Sequence, residues 1–159
     1  MRTIRYRRKR LGLTNYKKRL ALLKSNLTRL VIRRSNKFIS LQMVNYEPDG
    51  DRVLLTMSSK GLGKFGWKHS FKSLPAAYLT GLMVGKVALD KNIKEAIVDI
   101  GMFKHIKGSK FTAVIKGVID AGLKIPVGDI FPSEDRLSGK HINDEVAKDF
   151  ESVKAKLIK

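Results

Sequence analysis

The first forty-six residues of this chain contain no Asp or Glu; the first carboxylate is Glu47. The same stretch holds fourteen Lys and Arg. Of 33 basic and 14 acidic side chains in all, 19 and 14 fall in the remaining 113 residues. The formal net charge of +19 is therefore concentrated at one end. A basic block without carboxylates repels itself and attracts a polyanion. Nucleic acid, with its dense and regular phosphate charge, is the leading partner class.

At 159 residues the chain is one compact domain plus an arm, or at most two small units. Its 43% hydrophobic content supports a real core, so it is not simply a basic tail. The absence of Cys excludes disulfide frameworks, thiolate zinc sites and Cys nucleophiles. The longest apolar stretch, Leu74 to Val84, is broken by Thr80 and is too short for a membrane span. No segment has the order of a secretory signal. The basic, acid-poor start shares its composition with a mitochondrial presequence, but its first ten residues offer almost no apolar face.

Residues 1–12 lack apolar periodicity and read as a flexible basic arm. Thr14 or Asn15 caps a helix through about Ser25, with Tyr16, Leu20 and Leu23 on one face. Its Lys17, Lys18, Arg19 and Lys24 have no acidic partner four residues away, which points them at an external anion. From Leu27 to Ser58 the apolar residues repeat every second position, in three runs separated by Ser35-Asn36 and Glu47-Pro48-Asp49-Gly50. This predicts an antiparallel meander whose less apolar face carries Arg29, Arg33, Ser40 and Gln42. A Gly/Lys loop, Gly61 to Lys72, holds Phe65, Trp67 and Phe71. Ser73 and Pro75 then start a helix to about Leu89. Gly81 and Gly85 share a face of that helix and are expected to let it approach the sheet. Ala96 to Ile100 reads as a buried strand. Ser109 caps a helix from Lys110 to Ala121, with Gly122 as its left-handed stop. A last helix runs from Asp144 to about Leu157. The order is β-β-β-α-β-α with a helix at each end, an α/β layered domain over 13–142 followed by a C-terminal helix within 143–159.

The motifs weaken the enzyme readings. Gly61-Leu62-Gly63-Lys64-Phe65-Gly66 matches G-x-G-x-x-G, but no helix starts where a dinucleotide site needs one. His69, His105 and His141 form no helical pair and have no Cys to complete a metal site. The strand and helix order resembles ribonuclease-H-like nucleases, which hold two divalent metals on several carboxylates. Here the first strand has no acid, and a lone Asp99 reads as a structural group satisfying loop amides. The loop Lys104-His105-Ile106-Lys107-Gly108-Ser109-Lys110 is basic and suited to a phosphate backbone. Trp67, between lysines, either packs under the sheet or stacks on a base.

The candidate RNA contacts follow. In the arm they are Arg2, Arg5, Arg7, Arg8, Lys9 and Arg10. The first helix adds Tyr16, Lys17, Lys18, Arg19 and Lys24. The sheet and its first turn add Arg29, Arg33, Arg34, Asn36 and Lys37, and the loops add Lys68, Lys104, Lys107 and Lys110.

Several ordered blocks carry a family resemblance. They are Tyr16-Lys17-Lys18-Arg19-Leu20-Ala21-Leu22-Leu23-Lys24-Ser25, then Arg29-Leu30-Val31 and Arg33-Arg34-Ser35-Asn36-Lys37. Pro75-Ala76-Ala77-Tyr78-Leu79-Thr80-Gly81-Leu82, Asp99-Ile100-Gly101, Gly108-Ser109-Lys110, Asp120-Ala121-Gly122-Leu123 and Ile125-Pro126 follow in order. Over nearly all of residues 5–142 the chain resembles the large-subunit ribosomal protein eighteen family, in its archaeal and eukaryotic branch. It departs from the family after about Pro132, and its short tail suggests the archaeal type. The resemblance implies a three-layer α/β/α core of ribonuclease-H-like topology, with no catalytic site, cofactor or metal. It also implies binding to 5S ribosomal RNA in the central protuberance, contact with large-subunit ribosomal RNA and neighbouring ribosomal proteins, and no membrane or small-molecule partner. A non-ribosomal RNA-binding or RNA-chaperone protein on the same core is the alternative.

Overall fold

The period-two runs pair as their alternation requires. In the computed structural model, which describes residues 4–158, β1 (Thr28–Arg34), β2 (Ile39–Asn45) and β3 (Arg52–Ser58) form an antiparallel meander. β4 (Ala96–Asp99) joins β1 in parallel, so the order is β3-β2-β1-β4. A parallel neighbour needs a crossover, and α3 (Leu74–Asp90) supplies it between β3 and β4. This is the ribonuclease-H-like arrangement within a mixed α/β fold.

The inward residues of the sheet are Leu30, Ile32, Ile39, Leu41, Met43 and Leu55, all buried. They face α3, which is buried over most of its length. α4 (Lys110–Asp120) packs against α3, and α6 (Asp144–Ile158) covers another part of it. The eight-residue α2 (Tyr16–Leu23) lies on the opposite side of the sheet, where its side chains reach Asp51 and Gly101. The layers are therefore helix, sheet, helix.

The local signals act as their chemistry dictates. Ser73 accepts a hydrogen bond from Ala76 N–H and Pro75 occupies the first turn of α3. Gly122 ends α4 in the left-handed region, at φ +106°. Trp67 packs rather than projecting: it is 2% exposed and its Nε1–H donates to Ser70 O at 3.3 Å. Three features differ from expectation. The Gly/Lys segment opens as a 3-10 helix, Ser59–Phe65, with the Ser58 side chain accepting from Lys60 N–H. A short helix α5 (Glu134–Ser138) precedes the last one. Within the arm, α1 (Arg7–Arg10) is a single helical turn that buries nothing.

Gly81 and Gly85 serve a different neighbour from the one expected. They bring α3 against α4, not against the sheet. A Cβ at Gly81 would overlap the Val114 carbonyl, and one at Gly117 would overlap the Tyr78 carbonyl. At Gly85 it would lie 2.5 Å from Ala121 Cβ. The backbones touch where side chains ordinarily separate two helices, and Tyr78 Oη–H donates to Asp120 Oδ2 at 2.8 Å beside that contact. Burial and the Asp120 carboxylate raise the Tyr78 pKa. Gly81→Ala is expected to lower unfolding free energy by about 2 kcal/mol or more, because the overlapped atoms are backbone and cannot rotate away. Urea denaturation checks this; a loss below about 0.5 kcal/mol would show that the helices separate freely.

Candidate nucleic-acid interface

α2 is a problem in physical terms: it is basic, short and has no buried residue. Its start is set by Asn15, whose Oδ1 accepts from Lys18 N–H at 3.1 Å. Its apolar positions anchor it weakly, since Leu20 is 59% exposed and Leu22 and Leu23 are only half-buried. Alternating charges add to that anchorage. Arg19 Nη2 donates to Asp51 Oδ2 at 2.9 Å. The same oxygen lies 2.6 Å from Arg29 Nη2, a close ionic contact without hydrogen-bond alignment. Arg29 Nη1 lies 3.5 Å from Asp99 Oδ2, and Arg33 Nη2 lies 3.4 Å from Asp99 Oδ1. Lys18 Nζ adds a hydrogen bond to Gly101 O at 3.2 Å. Three arginines thus alternate with two carboxylates across the outer face of the sheet, from α2 to the end of β4.

Asp99 also accepts from Gly101 N–H at 2.7 Å, the structural role expected of it. Both its oxygens are engaged. Among the described residues no group of three His, Cys, Asp or Glu converges as a metal site would require. His69 instead meets Asp149 of α6 at 3.0 Å.

Arg29 requires a correction. It is 2% exposed, under the α2 side of the sheet, and its guanidinium faces Asp51 and Asp99. Its side chain is committed to the protein's own carboxylates rather than displayed at the surface. Most of the other candidates are exposed. The arm residues Arg5, Arg7, Arg8, Lys9 and Arg10 lie in solvent, as do Lys17 and Lys18 on α2 and Lys24 just after it. Tyr16 is at the margin, 36% exposed, with its ring 5.4 Å from that of Tyr6. Arg19 is half-buried by its ion pair. Arg33, Arg34, Asn36 and Lys37 are exposed at the β1–β2 turn, although Arg33 is partly committed to Asp99. Arg2 lies outside the described residues.

Two clefts gather some of these positions. One, of about 290 Å³, brings Arg8, Lys18, Arg19 and Arg33 together beside Gly101. The other, of about 520 Å³, is lined by Arg34, Lys104, Lys110 and Arg136 over Phe103 and Phe111. Lys68 and Lys107 line neither cleft. Sequence reasoning missed Arg136, and it missed Lys72, which lies close enough to Lys110 to repel its charge. No local pattern joins Lys72 to Lys110, because the fold alone brings them together.

The charge relay has a pH signature. Burial disfavours the charged form of Asp51, but close contact with the positively charged guanidinium groups of Arg29 and Arg19 outweighs it. They hold the carboxyl below its ordinary value of 3.8. The resulting stability is present above that value and is lost as pH falls through the lower folded value. Asp51→Asn is therefore expected to destabilise the chain at pH 7 by on the order of 2 kcal/mol, since it leaves Arg29 poorly compensated. The difference from the parent should shrink steadily below about pH 4. Equal gaps at pH 7 and at pH 2.5 in paired denaturation curves would exclude the relay as the source.

Comparison with known proteins identifies the family. A family model described as ribosomal large subunit proteins 60S L5, and 50S L18 matches residues 2–95. The large ribosomal subunit protein uL18 of Sulfurisphaera tokodaii is 50% identical over 140 residues, covering 87% of this chain and 71% of that protein. The protein of the same name from Korarchaeum cryptofilum is 47% identical over 140 residues, covering 87% and 72%. That of Methanothrix thermoacetophila is 42% identical over 158 residues, covering 96% and 94%. The chain belongs to the family of ribosomal large subunit proteins that comprises 60S L5 and 50S L18.

Proposed function

We propose that this protein is a structural constituent of the large ribosomal subunit that binds 5S ribosomal RNA. In this reading it helps attach 5S RNA to the large-subunit RNA in the central protuberance, beside neighbouring ribosomal proteins of the cytoplasmic ribosome. It is a scaffold and not an enzyme, in keeping with its family. The observation that carries the RNA reading is the segregation of charge. The first forty-six residues hold fourteen cations and no acid, and most of those described are exposed on the arm, on and just after α2 and at the β1–β2 turn, while the apolar half of the fold is closed by α3 and α4. The two carboxylates nearest that surface, Asp51 and Asp99, are occupied by arginines of the same chain.

The arm, of which residues 4–12 are described, becomes ordered on RNA in this reading. The single turn Arg7–Arg10 buries nothing, so apolar contact cannot offset an ordering cost of ~1–2 kcal/mol per residue. Phosphate contacts supply the missing stabilisation through counterion release.

Affinity for 5S RNA should depend steeply on salt. With ~6–10 phosphates neutralised, log K against log salt is expected to have a slope on the order of −4 to −9. A slope near zero contradicts phosphate-driven binding. Co-sedimentation tests the ribosomal part separately: the protein should travel stoichiometrically with large subunits, and its absence from them would favour a non-ribosomal RNA-binding role.

A further inference from the structure

The cleft at the start of α4 has properties that a free surface would not keep without use. Arg34, Lys104, Lys110 and Arg136 line it, and no carboxylate does. Among the described residues Arg34, Lys72, Lys104 and Lys110 form no ion pair. Like charges are nevertheless crowded here. Burial and then the charges of Lys72 and Arg34 lower the pKa of Lys110. Arg34 is held in place by its stack over Phe103, at 5.0 Å from the ring centre.

The helix end adds to the field. α4 has eleven residues and begins with Lys110, where a cation opposes the helix dipole. Ser109 occupies the cap position but makes no cap hydrogen bond, and its Oγ is buried without a partner. The first-turn amides of α4 therefore receive no side-chain cap from Ser109, and Ser109, Lys110 and Phe111 line the cleft. Two costs meet at one place: repelled cations, and a helix start left uncapped by a Ser109 hydroxyl that is itself without a partner. One anion relieves both.

We propose that this cleft seats a backbone phosphate of the bound RNA, held by Arg34, Lys72, Lys110 and the amides that open α4. The inference rests on the RNA-binding reading above and assigns one contact within it. A phosphate of a polymer fits better than a free ion, because exposed Lys104 and Lys107 in the same loop, and Lys37 after Arg34, continue the positive charge beyond the cleft. Successive phosphates then meet successive cations.

The test uses the full chain with transcribed 5S ribosomal RNA and compares Lys110→Gln and Lys72→Gln with Lys148→Gln, an exposed position on α6. All three lose one positive charge, so any general effect of net charge is common to them. The two cleft variants are expected to weaken binding about ten-fold and to flatten the salt slope by about 0.7 to 1. Lys148→Gln should change affinity less than about two-fold. Removing a repelled cation from the start of α4 should leave the melting temperature of the free Lys110→Gln chain unchanged or raised, which separates lost contact from lost folding. If both cleft variants match Lys148→Gln in affinity and slope while the parent binds RNA, this site is overturned and the RNA reading stands. If the parent does not bind RNA at all, both fail.

Discussion

The surface of this protein depends on how two carboxylates are distributed among three arginines. Arg19, Asp51, Arg29, Asp99 and Arg33 alternate from α2 across the sheet to β4. A helix with no buried residue is only weakly fixed by apolar burial, and α2 has none. Directed charge contacts add to that anchorage. The buried member, Arg29, is the keystone, because a guanidinium in the interior is costly unless carboxylates face it. The arrangement keeps both carboxylates engaged within the protein, which leaves the neighbouring cations facing outward.

The other half of the fold solves the opposite problem. α3 is so apolar that it must be covered on nearly every side, by the sheet, α4 and α6. Gly81, Gly85 and Gly117 let α3 and α4 approach until their backbones touch. Dispersion contacts at that density make a stiff layer beneath the sheet. Stiffness there matters for the surface, since the β1–β2 turn and the start of α4 both grow out of elements that this layer holds. The division of labour is spatial: apolar packing on one side of the sheet sets the framework, and charge on the other side and at its rim meets the partner.

Much of this was legible in the residues. Alternation from Leu27 to Ser58 defined three strands, and Ser73 with Pro75 marked the start of α3 because their chemistry is local. Gly122 marked the end of α4 for the same reason. The 3-10 helix at Ser59–Phe65 was hidden by its glycines, which signal a loop and equally permit a tight turn. Period two placed Arg29 on the same face as Arg33, but alternation says nothing about which position on that face a distant helix will cover. Gly81 and Gly85 announced a close approach without naming the neighbour, since any flat backbone satisfies the same sterics. Lys72 is separated from Lys110 by a whole crossover, and its part in the α4 cleft left no trace along the chain.

What the sequence by itself determined was composition and periodicity: a basic block with no internal neutralisation, a β-β-β-α-β-α order, and the absence of any acidic constellation for catalysis. Those properties belong to neighbours in the chain, where charge, spacing and capping act within a few residues. Only the tertiary structure decided which cations became structural and which remained free. Arg29 was drawn inside by Asp51 and Asp99, and Arg34, Lys72 and Lys110 were gathered at the start of α4. The difference is one of range. A carboxylate neutralises the arginine it touches in space, and chain separation does not enter Coulomb's law.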